Sequence, residues 1–220
     1  MRHQLLAIVA VAAALISGPR VQAGVVAFNF NGAGVSGSGL LTYGPNTVVG
    51  DPAGSYAITD VSGTFSDSNL GLSNVTIVGL LPIDPVNPPK GGLFPVSFSS
   101  IAVTNPSHPG GGTSYDNLLY PGGSPWVCED YPGFGGYLDV YGMVFKLSNG
   151  YLVNLWSNGT WPGGPPLDYG VAVIDRTNTI VDYVAGGIAS AVVPEPGSAV
   201  LLSVGLLSAL AWRGRKGRAE

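Results

Sequence analysis

From Val25 to Val184 the chain alternates apolar and polar residues, and glycine or proline interrupts the alternation at nearly every junction. Side chains project alternately to the two faces of a strand, so a period of two is the mark of a sheet with one buried and one open face. The 34 glycines and 18 prolines deepen the constraint, because both residues shorten helices and both favour turns. Strands are expected over Val25–Phe30, Ser38–Tyr43, Ser55–Phe65, Asn74–Leu80, Val96–Thr104, Tyr137–Leu147, Tyr151–Trp156, Tyr169–Asp175 and Thr179–Val184, all rich in β-branched and aromatic residues. Asn149-Gly150, between two such runs, predicts a hairpin closed by a two-residue type I′ turn. Many short strands without helical crossovers predict an all-β domain, an antiparallel β-sandwich or jelly roll, with a barrel as the alternative. No repeat of fixed period points to a β-helix or propeller.

The two ends follow other rules. Met1-Arg2-His3-Gln4 is basic, Leu5 to Ile16 is apolar, and Val21-Gln22-Ala23 supplies small residues before Gly24. This is the order of a secretory signal peptide, residues 1–23 forming a signal helix, with signal peptidase cutting between Ala23 and Gly24. At the other end, Val193-Pro194-Glu195-Pro196 precedes an apolar run and then the basic group Arg213, Arg215, Lys216 and Arg218. The prolines hold the chain around Glu195 extended, as an enzyme's recognition segment must be. The sixteen residues 197–212 make a helix of about 24 Å, enough to cross a hydrocarbon layer of about 30 Å when flanking cations snorkel. The cations at 213–218 stay cytoplasmic by the positive-inside rule, which sets everything before the helix on the far side of the membrane.

The Val-Pro-Glu-Pro start, the apolar helix and the arginine-rich end together resemble the PEP-CTERM sorting signal of Gram-negative bacteria that make extracellular polysaccharide. The resemblance covers residues 193–220. It implies that Pro194, Glu195 and Pro196 are recognised by an exosortase, a membrane-embedded cysteine transpeptidase. The product is then an exported protein of the cell surface or extracellular matrix, anchored through its C-terminal helix before processing. A plain single-pass anchor is the alternative reading.

Between the two targeting segments, residues 24–192 carry three basic side chains (Lys90, Lys146, Arg176) against eleven acidic ones, a net charge of −8. Such a surface repels a phosphate backbone, so nucleic acid is excluded as a partner. The segment's length suits one domain, and the proline-rich stretch Pro82 to Gly92 reads as a long surface loop or a linker between two β units. Cys128 is the only cysteine, so no disulfide forms within the chain; a small buried residue is its ordinary reading.

No constellation for catalysis emerges. His108 is the one histidine of the segment and sits between prolines in a glycine loop, and no Gly-x-Ser-x-Gly elbow occurs. With one histidine and one cysteine, zinc has too few ligands. Carboxylates are the plentiful groups: a secreted polysaccharide hydrolase pairing Glu129 or Asp130 with Asp139 is one reading. Oxygen ligands from Asp116, Asn117, Glu129, Asp130 and Asp139 around a calcium ion are another, and solvated loop acids a third. The same region is rich in aromatics. Trp126, Tyr131 and Trp161, in glycine-proline loops, are candidates to stack on sugars, while Tyr141 and Trp156 read as hairpin core. The function expected from the sequence is thus a non-enzymatic structural, adhesive or carbohydrate-binding role outside the cell.

Overall fold

The computed structural model describes residues 23–84, 95–104, 112–128 and 131–194. The expected signal helix and the expected transmembrane helix at 197–212 lie outside these. Among the described residues no helix is long and apolar enough to cross a membrane.

The strands are β1 (Gly24–Gly32), β2 (Val35–Pro45), β3 (Tyr56–Asp67), β4 (Leu72–Leu80), β5 (Ser99–Ala102), β6 (Gly112–Tyr115), β7 (Leu118–Leu119), β8 (Met143–Leu147), β9 (Leu152–Gly159), β10 (Asp168–Ile174) and β11 (Ile180–Pro194). Every ladder joining them is antiparallel. Starting at β3, hydrogen bonding runs through β2, β1, β11, β10, β9, β8 and β4, and β4 pairs with β3 again. The sheet therefore closes on itself as a barrel of eight strands, and the expected sandwich or jelly roll is corrected to the alternative architecture. Closure removes the unpaired edges that a sandwich leaves at each side of its sheets.

A barrel of eight strands has an interior just wide enough to be filled by side chains. Here the filling is aromatic and aliphatic. Phe28, Phe30, Phe65 and Phe145 form a chain of rings across it, with successive centroids 6.2–6.3 Å apart. Val26, Leu41, Ile58, Val61, Ile77, Met143, Val153, Leu155, Val171 and Ile188 pack around them.

The long excursion between β4 and β8 adds a second layer. Its β5–β6 hairpin and the segments after it lie against the outside of the barrel: Thr104 brackets the β10–β11 turn through Asn178 O and Ile180 N, Thr113 reaches Asn154, and the Asn117 amide receives Val144 N–H. This explains a contrast in burial. β1 and β2 bury alternate residues, whereas β8, β9 and β10 are buried on both faces, including the outward-facing Val144, Asn154 and Ala172. Leu119 and Leu138, from the same excursion, enter the barrel core.

Three local expectations change. The hairpin at Asn149-Gly150 forms, with Lys146 opposite Leu152. Its turn is not type I′: Gly150 has φ +87° while Asn149 does not, and Gly150 N–H bonds Leu147 O at 2.9 Å. That is a three-residue loop ending in a left-handed glycine, the other common hairpin solution. The strand expected from Tyr137 begins only at Met143, because Gly142 (φ +69°) and the Asp139 carboxylate, which accepts Tyr141 N–H and Gly142 N–H, fold the chain into a turn. The strand expected over Val96–Thr104 shortens to β5.

Candidate functional site

The sequence candidates fall into two places. The first is an aromatic face on the outer wall of β9, β10 and β11. Trp156 projects outward from β9 and lies on Gly170 of β10, where a Cβ would sit 2.2 Å from the indole. Only glycine leaves room for that ring. Tyr183, from β11, stacks on Trp156 with centroids 5.5 Å apart and planes 30° apart. Below them a polar brace fixes the strands: Trp156 Nε1 donates to Asn158, whose Nδ2 donates to Asp168 (2.9 Å) and to Ala185 O (2.8 Å).

The excursion brings further rings to this wall. Phe134 and Thr160 exchange backbone hydrogen bonds of 3.1 and 2.9 Å, which docks the 131–135 segment onto the end of β9. Trp161 follows Thr160 directly. Tyr131 N–H and Trp126 Nε1 both donate to Cys128 O, tying those two residues to one carbonyl. Tyr131 is also close enough to Tyr183 to help burial push the Tyr183 hydroxyl's pKa up. The three carbohydrate candidates are all exposed: Trp126 by 61%, Tyr131 by 63% and Trp161 by 41%. Phe134 and Tyr183 are exposed beside them, and Trp156 is buried beneath Tyr183. The sequence reading missed Tyr183, which lies out of phase with Val184 and Ile188 on β11 and faces outward.

The second place is buried. Asp116 is 1% and Asp139 2% exposed. Asp139 Oδ1 accepts Tyr141 N–H (2.9 Å) and Gly142 N–H (3.2 Å), and its Oδ2 accepts the Tyr120 hydroxyl (3.0 Å). Asp116 Oδ1 accepts Leu118 N–H (3.0 Å), but its Oδ2 meets no donor. Burial, then the neighbouring Asp139 carboxylate, holds the Asp116 pKa well above the usual carboxylate range. Burial raises the Asp139 pKa as well, against the lowering by its neighbours' hydrogen bonds; a proton on Asp116 Oδ2 would turn the donorless oxygen into a donor and leave the charge on the better-bonded Asp139. Burial raises the Tyr120 pKa far above its ordinary value, with the two acids adding to it, so its hydroxyl stays a donor.

Of the five calcium candidates, Asp116, Asn117 and Asp139 are among the described residues. Asn117 commits its side chain to the sheet, donating to Leu81 O (2.8 Å) and accepting Val144 N–H (3.1 Å). Glu129 and Asp130 lie outside the described residues, as does His108. Among the described residues no three metal-ligating side chains gather. The hydrolase candidate Asp139 is buried with both carboxylate oxygens engaged.

A second acid pair, absent from the sequence candidates, sits at the β3–β4 turn. Asp67 is fully buried, its Oδ1 accepting Asn69 N–H (2.8 Å) and Leu70 N–H (3.1 Å), its Oδ2 without a donor. Burial first, and Asp182 beside it, raise its pKa. Cys128 is half-buried and unbridged, against Tyr141, whose ring lies tilted against Phe98 with centroids 5.0 Å apart.

At the termini, Ala23 is exposed and Gly24 opens β1. Pro194 ends β11, opposite Val26 of β1; Glu195 and Pro196 lie outside the described residues. No curated protein and no solved structure matches the chain significantly. Residues 192–216 match the family model of the PEP-CTERM protein-sorting motif. The chain therefore carries a PEP-CTERM sorting motif, which implies an exported, membrane-anchored precursor with an exosortase as its processing partner.

Proposed function

We propose that the barrel is a non-enzymatic protein of the cell surface or extracellular matrix, freed by cleavage near Pro194-Glu195-Pro196, and that it binds extracellular polysaccharide through the aromatic face around Tyr183. The exposure of these rings is the observation that carries the reading. The barrel interior buries its phenylalanines, yet Tyr131, Trp161 and Tyr183 stay exposed around β9 and β11, and Trp126, which shares the Cys128 carbonyl with Tyr131, is exposed beside the β2–β3 loop. Planar rings stack on the apolar faces of sugars, and rings with a polar handle suit a wet surface. The underlying Asn158–Asp168 brace supports the wall rigidly, so little ordering cost falls on binding.

Binding to a panel of bacterial exopolysaccharides tests this, with reducing ends followed in parallel. The expected result is retention without turnover, weakened about tenfold or more by Trp161→Ala with Tyr183→Ala. Equal binding by that variant, confirmed as folded, overturns the aromatic assignment. Release of reducing ends, lost in Asp139→Asn or Glu129→Gln, overturns the non-enzymatic reading.

A further inference from the structure

We propose that the end of β11 is a latch: its pairing with β1 holds Pro194, where the sorting motif begins, and cleavage proceeds through the form in which that pairing is open. The inference rests on the reading above that the motif is cut.

β11 is held in two different ways along its length. From Ile180 to Ile188 it pairs with β10. From Ala189 to Pro194 its ladder is with β1, running from Asn31↔Ala189 to Val26↔Pro194. The β10 ladder ends at Tyr169↔Ile188, so this last stretch is bonded along one side. β1 itself is fixed, because β2 pairs with all of it, from Gly24↔Tyr43 to Gly32↔Val35. The latch is therefore the β11 end and not β1.

Its residues are suited to opening. Ala189 is exposed, Ser190 and Ala191 are small and half-buried, Val192 packs against the edge of the core, and Ser190 Oγ adds one bond, to Asn29 O at 3.2 Å. Pro194 has no N–H to give to the ladder, so the strand ends at a residue that cannot extend it. Yet Pro194 is also the first residue of the motif. A sorting enzyme that reads an extended Pro-Glu-Pro segment needs the residues before it free of their neighbour, and these are the residues paired with Ala27 and Val26. Segments bonded on one side with little burial open far more readily than a core, and attack on a transiently opened segment follows the open population.

The register has a second consequence. Gly24, next to the expected signal-peptidase site, lies just beyond the Val26↔Pro194 pair, so both processing sites are at one end of the barrel.

The test follows processing of the full chain in cells that carry the sorting enzyme, by pulse-chase and intact mass. Inserting six glycine and serine residues between Val193 and Pro194 moves the motif off the ladder and is expected to speed processing about threefold or more. Ala27→Cys with Val193→Cys, in a Cys128→Ser background, joins a registered pair. When oxidised it is expected to slow processing about tenfold, with recovery on reduction. Single-cysteine chains and urea melts control for folding. If wild type is cut and both variants are cut at its rate, the latch is overturned while the cleavage reading stands. If neither wild type nor the insertion variant is ever cut, the cleavage reading itself fails, and the latch with it.

Discussion

Asp116→Asn is expected to stabilise the protein at neutral pH and to flatten its pH dependence. In the native chain Asp116 Oδ1 accepts Leu118 N–H, while the donorless Oδ2 is buried beside the fully bonded Asp139. Holding a proton there costs more as pH rises. The acid's folded pKa stands well above its reference value of 3.8. Folding therefore takes up a proton across the interval between the two. The stabilisation is fully present below pH 3.8 and is lost as pH rises toward the folded pKa, by about 1.4 kcal/mol per unit. Asparagine reproduces the protonated acid at every pH: its Oδ1 accepts Leu118 N–H and its Nδ2 donates to Asp139. Urea unfolding from pH 4 to 8, read by tryptophan fluorescence, should show the variant equal to wild type near pH 4 and progressively more stable than wild type as pH rises, the gap widening by up to about 1.4 kcal/mol per pH unit until the folded pKa is passed. Asp139→Asn is the opposite case. It sets an amide against the Tyr120 hydroxyl and two backbone N–H groups, and should destabilise by about 3 kcal/mol across the range. An Asp116→Asn curve that keeps the wild-type slope, or lies below wild type at pH 7, refutes the shared proton.

Other outcomes follow from the same packing. Asp67→Asn should remove a further slope of the same sign, since burial and Asp182 raise that acid too, and the Asp116→Asn/Asp67→Asn double variant should be nearly additive in pH-dependent urea melts. Phe65→Ala removes the ring between Phe30 and Phe145 and should cost about 3–5 kcal/mol in the same melts. Asn117→Ala leaves Val144 N–H and Leu81 O without their partner and should cost about 2–4 kcal/mol, with the excursion loosened first in hydrogen exchange. A chelator should leave the melting temperature unchanged if a proton bridges Asp116 and Asp139; a fall, reversed by calcium, would favour the ion.

Much of the strand content was legible because period-two alternation is a local property. Val26, Phe28 and Phe30 already show which face of β1 is buried, whereas Val181-Asp182-Tyr183, read the same way, would turn Tyr183 inward and hides it. The exposure of Trp126 and Trp161 was legible for a similar reason, since glycine and proline around them deny a regular element to bury them. Less was legible where two faces are covered: β9 reads Val-Asn-Leu-Trp with no alternation in burial, because the excursion lies on its outside. The turn at Gly142 was missed because the carboxylate that stabilises it, Asp139, looked like a surface acid.

The sequence by itself determined the C-terminal sorting motif, the all-β content and the acidic character of residues 24–192. Each of these resides in neighbours along the chain. Tertiary structure alone decided that the sheet closes, through β1 meeting β11 and β4 meeting β3, that Asp116 shares its interior with Asp139 and Tyr120, and that the first proline of the sorting motif is held in the barrel ladder. The physical reason is the same in each case. An alternating strand specifies which face is buried but not which strand it will lie beside, and partners such as Val26 and Pro194 meet only when the whole ring has formed.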